Sequence, residues 1–257
     1  KTDGLFDNAG FRPVGETDTH SIDIDIDINV TERLSLNVGV PYIIKRHTGI
    51  AIHNPLLIVP PQDSKFIDDG KYHSGFQDAR IGARYLLIDR EFKVEPFVTI
   101  SFPVSDYPFF ASAAIGQQLT HYEFGSRFAW EPPLDLYFVS LTASRVIVER
   151  TLGHDVDHWR VNLDAGYFVL SNVIVRGLLL VKQGGGLETP DDFPSRTDIL
   201  WFHHDQLLQH NYINAGGAVD WLIDDKLSVT ASFLKQIHRD NVFALKHAFS
   251  LTVSRAF

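Results

Sequence analysis

The chain contains no cysteine. That excludes a disulfide framework, thiolate metal sites, thiol nucleophiles and covalent haem attachment. Long hydrophobic runs are also missing. Stretches such as Leu178–Val181 and Leu56–Val59 fall far short of the roughly 20 apolar residues that a spanning helix needs. A membrane protein without a spanning helix must be a closed barrel, because no other structure satisfies its backbone in lipid. Basic residues are in the minority. A net charge of -9 over 257 residues argues against nucleic acid as a partner, since phosphate binding needs a basic face. The length suits one large all-β domain or two ordinary ones. A mean hydropathy of -0.04 permits a barrel without requiring one.

What the chain does have is alternation. Ser21-Ile22-Asp23-Ile24-Asp25-Ile26-Asp27-Ile28-Asn29-Val30 sets an aliphatic residue beside a polar one without a break. Successive side chains of a strand point to opposite faces, so this run has one greasy face and one acidic face. Similar segments recur to the last residue, Phe257. Leu34, Leu36, Val38 and Val40 alternate with Ser35, Asn37 and Gly39. Ala79, Ile81, Ala83 and Tyr85 alternate with Asp78, Arg80, Gly82 and Arg84, and Val94, Pro96, Val98 and Ile100 with Glu95 and Thr99. Further strands are expected around Tyr122–Trp130, Tyr137–Ser144, Trp159–Tyr167, Val173–Lys182, Tyr212–Trp221, Leu227–Phe233 and Phe249–Phe257. Pro96 counts against its strand, because proline cannot donate to a ladder.

The connections alternate in length. Thr31–Arg33, Asp89–Glu91, Glu131–Pro133, Ser171–Asn172 and Ile223–Lys226 are short. Between them lie long ones, at about Lys45–Gly75, Ser105–Gln117, around Gly153, and from Gly184 to Asp205. Short turns at one end and longer loops at the other are the pattern of an outer-membrane barrel, with the short turns in the periplasm. Tyr42, Tyr85, Trp130, Tyr137, Tyr167 and Trp221 fall at strand ends, where an interfacial aromatic girdle belongs. Eleven strands are clear, and bacterial barrels have even numbers. A twelfth strand or partial strand is therefore expected within Lys1–Gly15, with a plug as the alternative, and the barrel proper over 16–257. No signal peptide is visible, so Lys1 is expected to follow a removed signal or an artificial start.

Two segments carry a family likeness. Gly75-Phe76-Gln77-Asp78-Ala79-Arg80-Ile81-Gly82-Ala83-Arg84-Tyr85 and Thr31-Glu32-Arg33-Leu34-Ser35-Leu36-Asn37-Val38-Gly39-Val40-Pro41-Tyr42 resemble strands of outer-membrane transporters of the meta-pathway phenol-degradation type. Asn214–Trp221 is a looser echo. The resemblance covers about the first hundred residues and the remainder only by pattern. It implies a barrel passing small, often hydrophobic or aromatic, molecules. The chain departs from the family at its start, where no clear strand precedes the Ile22 strand.

The charged face supplies the candidate site. Asp23, Asp25 and Asp27 stand about 7 Å apart along a strand, and their repulsion calls for water, cations or arginine partners. The readings are an ion-pair network fixing barrel shape, a cation-attracting pore stripe, or a calcium site. Arg80, Arg84, Arg127, Arg160 and Arg176 are expected to complement them, together with Glu95, Glu123, Asp164 and Asp220. The absence of an arginine excess disfavours a channel for polyanionic sugars. Opposed charges across a lumen select solutes or close it.

Two loop features are candidates for the mouth: the apolar stretch Pro55–Pro61 and the cluster Trp201-Phe202-His203-His204. His154 and His158 have a helical metal-binding spacing but lie in a loop, which removes the geometric argument. No His-x-Ser pair followed by Asn, the arrangement of outer-membrane phospholipases, is present. The sequence therefore reads as an all-β, transmembrane antiparallel up-and-down barrel of about 12 strands in the bacterial outer membrane. Its expected role is passage of a small solute, with outer-membrane lipids around it and no cofactor, metal or catalytic residue. The alternatives are a barrel that anchors or sheathes another envelope protein, and a lipid-modifying enzyme.

Overall fold

The computed structural model describes residues 2–7, 10–49, 66–133, 135–188, 191–193, 198–240 and 242–257. In chain order the elements are β1 (Thr2–Asp7), β2 (Gly10–Asn29), β3 (Leu34–Thr48), β4 (His73–Phe76), β5 (Asp78–Tyr85), β6 (Phe92–Pro103), β7 (His121–Trp130), β8 (Tyr137–Val148), β9 (His158–Leu170) and β10 (Val173–Gly184). They continue with two single turns of helix, α1 (Ile199–Phe202) and α2 (His204–Leu207), then β11 (Asn211–Leu222), β12 (Leu227–Asp240), β13 (Val242–Leu245) and β14 (Ala248–Arg255).

All fourteen segments belong to one antiparallel sheet in which sequence neighbours pair. β4 and β5 are one bent strand interrupted at Gln77, whose N–H still reaches Pro41 O at 3.0 Å. β13 and β14 share a second wall position. Its upper part pairs with β1 and its lower part with β12. Twelve positions result, arranged as a curled sheet joined end to end through β1 and β13. The join covers only the half nearer the long loops, where Lys246 Nζ also meets Glu16 Oε1 at 2.8 Å. Below it, Ser21–Asn29 of β2 pairs only with β3, and Phe249–Arg255 of β14 only with β12.

Alternation sets the faces. Ile22, Ile24, Ile26 and Ile28 point outward and are 51–59% exposed, and Phe249 and Leu251 reach 74% and 72%. Leaving so much apolar side chain uncovered is unfavourable in water and is what hydrocarbon rewards. Tyr85, Trp130, Tyr137, Tyr167 and Trp221 are likewise exposed beside the short turns, with Trp130 packed edge-on against Tyr137 at 5.4 Å. Tyr42 stands apart from this group, next to Phe76 and bonded to Ser74 Oγ at 2.8 Å.

The short turns are fixed by side chains that capture the backbone. Thr31 Oγ1 accepts from Leu34 N at 2.9 Å, and Asp224 Oδ1 accepts from Lys226 N and Leu227 N at 2.7 and 2.9 Å. Such local bonds are the reason these residue types punctuate strands. Several strands outrun the sequence pattern: β2 begins at Gly10 and β8 reaches Val148. β3 continues through Lys45 to Thr48, and β12 runs on to Asp240. β6 runs through Pro96, and the β5 ladder ends one residue away at Arg84–Phe97.

Candidate functional site: a charged lumen beneath clasped loops

The inward face of β2, β3 and β5 gathers the first charges. Arg80 Nη2 donates to both carboxylate oxygens of Asp25, at 2.9 and 3.1 Å. Arg84 pairs with Asp27 at 3.2 Å, and Asn37 Nδ2 donates to Asp27 at 3.3 Å. Asp23 accepts from Ser21 Oγ at 3.0 Å. The geometry between Asp25 and Arg80 depends on Gly39, which lies between them in the ladder. A Cβ there would sit 2.0 Å from Asp25 Oδ1 and 3.1 Å from Arg80 Nη2.

The remaining charges form local networks. Arg127 Nη1 meets Glu95 at 2.7 Å, and Lys93 Nζ meets Glu131 at 2.6 Å. Arg160 meets Glu123 at 3.3 Å, while Ser144 Oγ donates to the same carboxylate at 2.6 Å. Arg176 bridges Asp164 and Asp220, and Thr230 Oγ1 donates to Asp220 at 2.6 Å. The inward charges read from the sequence thus come together as several pairs distributed around the wall. Among the described residues no group of three or more acids and histidines has metal-binding geometry.

One end of the lumen is covered by loops. Residues 105–120 turn inward, with Ala111 and Ala113 buried against Ile67. Buried Asp68 accepts from Ser112 N and Ala113 N at 3.0 and 2.8 Å. Lys45 Nζ donates to Ala114 O at 2.7 Å. A second loop closes over the first: Gln117 Nε2 donates to Asp205 O at 3.0 Å, and Gln206 Nε2 donates to Gln117 O at 2.7 Å. Phe193 packs with Leu207 of α2 and Leu208 after it, against Leu200 and Trp201 of α1. Asp198 caps α1 by accepting from Leu200 N at 2.8 Å. Trp201 stacks on His204 at 4.6 Å, His203 on Phe109 at 5.3 Å, and Phe110 meets Phe202 at 5.8 Å.

The Trp201–His204 cluster therefore lies in this cover. Pro55–Pro61 falls outside the described residues. Asp68, Lys45, Gln117 and Gln206 carry no periodic signal. Asp68 opens an Asp-Asp-Gly at residues 68–70, a turn-forming sequence. Outside the strands, His210 sits beneath the cover, partly shielded from solvent. Burial pushes its pKa down to about 3, with Lys182, His204 and Lys45 acting in the same direction and Asp205 against it. Tyr107 is raised by burial and by its hydroxyl's bond to Asp78. At the loop surface, a hydrogen bond from His73, followed by one from Lys71 N, lowers the Asp69 pKa.

No family model and no curated protein matches the chain. Solved structures do. An outer membrane channel from Pseudomonas putida F1 superposes with a TM-score of 0.68 over 98% of this chain and 88% of that one, at 13% identity. BamA from Haemophilus ducreyi, in a form lacking POTRA domains 1–3, matches with a TM-score of 0.41 over 93% of this chain and 55% of that one, at 12% identity. The first likeness establishes the fold: an antiparallel β-barrel of the kind found in an outer membrane channel.

Proposed function

We propose that the chain is a bacterial outer-membrane channel for small molecules, with its transmembrane wall built mainly from 16–257 and completed by the N-terminal partial strand β1. The short turns lie in the periplasm and the loop cover faces outside. One observation carries this reading: the wall has two chemistries at single-residue spacing. Ile22, Ile24, Ile26 and Ile28 are bare on the outside, while Asp25 and Asp27 hold Arg80 and Arg84 on the inside. The fold shared with an outer membrane channel supports it. The likeness of Thr31–Tyr42 and Gly75–Tyr85 to phenol-pathway transporters supports a hydrophobic or aromatic cargo. No step of this function calls for a catalytic residue or a cofactor.

Asp23, Asp25, Asp27, Arg80, Arg84, Glu95, Glu123, Arg127, Arg160, Asp164 and Asp220 set the field that a solute crosses. Purified protein in planar bilayers should conduct. Replacing Asp23, Asp25 and Asp27 together by alanine should lower the cation-to-anion permeability ratio, and an unchanged ratio would remove the acidic stripe from the pore. The bonds that clasp the two loops across the mouth favour a second reading, a sealed barrel that anchors or sheathes another envelope component. That barrel would carry no current.

A further inference from the structure

One inward cation differs from the rest. Arg80, Arg84, Arg127, Arg160 and Arg176 each hold a carboxylate, and Lys45 holds a carbonyl. Lys182, on the inward face of β10, has neither an ion pair nor a hydrogen bond among the described residues. Its ladder neighbours are Arg160 on β9 and Tyr212 on β11, a second cation and a phenol. Glu123 on β7 is already held by Arg160 and Ser144, and Asp164 on the adjacent β9 by Arg176. An ammonium group placed beside a guanidinium, with no acid of its own, is an incomplete ionic site.

The surroundings are incomplete in the same way. A cavity of ≈ 10 Å³ adjoins Lys182, lined also by Gln117, Val148, His158, Leu208 and His210. It holds about one water-sized group. His158 is 3% exposed and its Nδ1 lies 3.2 Å from Val156 O, an acceptor, so Nδ1 carries the hydrogen. Its Nε2 is buried without a partner, and so is Nε2 of His121. His121 and His158 flank adjacent rungs of β8, opposite Val148 and Val146. With Nδ1 protonated, Nε2 of His158 is an acceptor, so the group that completes it must donate, and a buried polar atom without a partner points to such a bound group. Below the cavity, alternation places Leu180 and Leu178 on the inward face with Lys182 and Arg176, and Leu234 joins them across Gly216.

We propose that Lys182 binds the carboxylate of a small organic acid at the edge of the cavity, with a cavity water donating both to His158 Nε2 and to a carboxylate oxygen and the apolar part of the ligand lying along Leu180 and Leu178. This deepens the channel reading, on which it rests, by giving the lumen one anion-holding station on β10. Along the sheet, that station stands seven strand positions from the acidic stripe of β2.

The probe is benzoate, with benzamide as its uncharged counterpart, titrated calorimetrically into the whole protein in detergent. Benzoate should bind the parent protein, and benzamide should bind much more weakly. Lys182→Met should weaken benzoate by about tenfold or more, the scale of a lost charged hydrogen bond. Lys235→Met, on the outward face of β12, should leave it unchanged. Equal affinity for benzoate and benzamide, or equal benzoate affinity in the parent and Lys182→Met, overturns the site. The parent-protein comparison decides even where Lys182→Met fails to fold, and Lys182→Arg should retain binding. The titration needs no current. A barrel that binds benzoate but does not conduct loses the channel reading and keeps the site, whereas one that conducts but treats benzoate as benzamide loses only the site.

Discussion

Asp25 and Arg80 meet across a strand that separates them, and their bond passes over Gly39. The glycine is there for space. Its position in the ladder is ordinary, but a Cβ would fall 2.0 Å from the aspartate oxygen. Gly39→Ala should therefore break the pair and cost about 1–3 kcal/mol through crowding. Asp25→Ala, which removes a half-exposed partner, should cost about 1 kcal/mol or less. Urea unfolding of the two variants in lipid vesicles compares them. A harmless Gly39→Ala would mean that the pair does not span β3.

Asp68 should matter more than its place in a loop suggests. It is buried and satisfies two backbone donors of the inward-turned loop. Removing it strands both N–H groups, at about 1–3 kcal/mol each. Asp68→Ala should loosen the cover and raise single-channel conductance. An unchanged conductance would show that this loop does not limit the path.

Acid should weaken the same cover through His210. Its folded-state pKa, pushed down to about 3 by burial, lies below the unfolded value of about 6.5. The folded state thus holds fewer protons between these values. The contribution is fully present above about pH 6.5 and is lost as pH falls toward 3. The groups facing the ring are Lys182, Lys45, His204 and Asp205. The melting temperature should fall between pH 7.5 and pH 5, and His210→Gln should flatten that slope. An equal slope in the variant would assign the acid sensitivity to other groups.

Below the β1–β13 join, Ser21–Asn29 is paired on one side only. An edge held in hydrocarbon would strand its donors at several kcal/mol each, so lumen water is expected to reach it. Hydrogen exchange should show alternate amides of Ser21–Asn29 exchanging fast, while β9, paired on both sides, stays protected throughout. Uniform protection of both would mean that the seam is closed.

The wall was legible because strand side chains repeat every two residues, so a run such as Ile22–Ile28 splits into an aliphatic and an acidic face, and because such runs recur to the end of the chain. Turns were legible where a residue such as Thr31 or Asp224 captures its own backbone. The loop cover was not. Lys45 meets Ala114, and Gln117 meets Asp205, across 69 and 88 residues, and such contacts leave no local pattern. The outer ends of strands leave little sequence pattern for a related reason. Past Lys45, β3 leaves the apolar band and its partners become polar, as where Thr17 Oγ1 meets buried His47 at 3.1 Å. The charges on the inward face were legible as a set, but which acid takes which base depends on ladder register, and at Asp25 on a glycine in the strand between.

The two-faced wall is tested most directly by labelling neighbours on β2. The chain has no cysteine, so Ile24→Cys and Asp25→Cys each give a single label in protein reconstituted in vesicles. A fluorophore at position 24 should be quenched by brominated lipid chains and resist a water-soluble, membrane-impermeant maleimide; position 25 should react with that maleimide and escape lipid quenching. Quenching at neither position, or the same behaviour at both, would contradict the account.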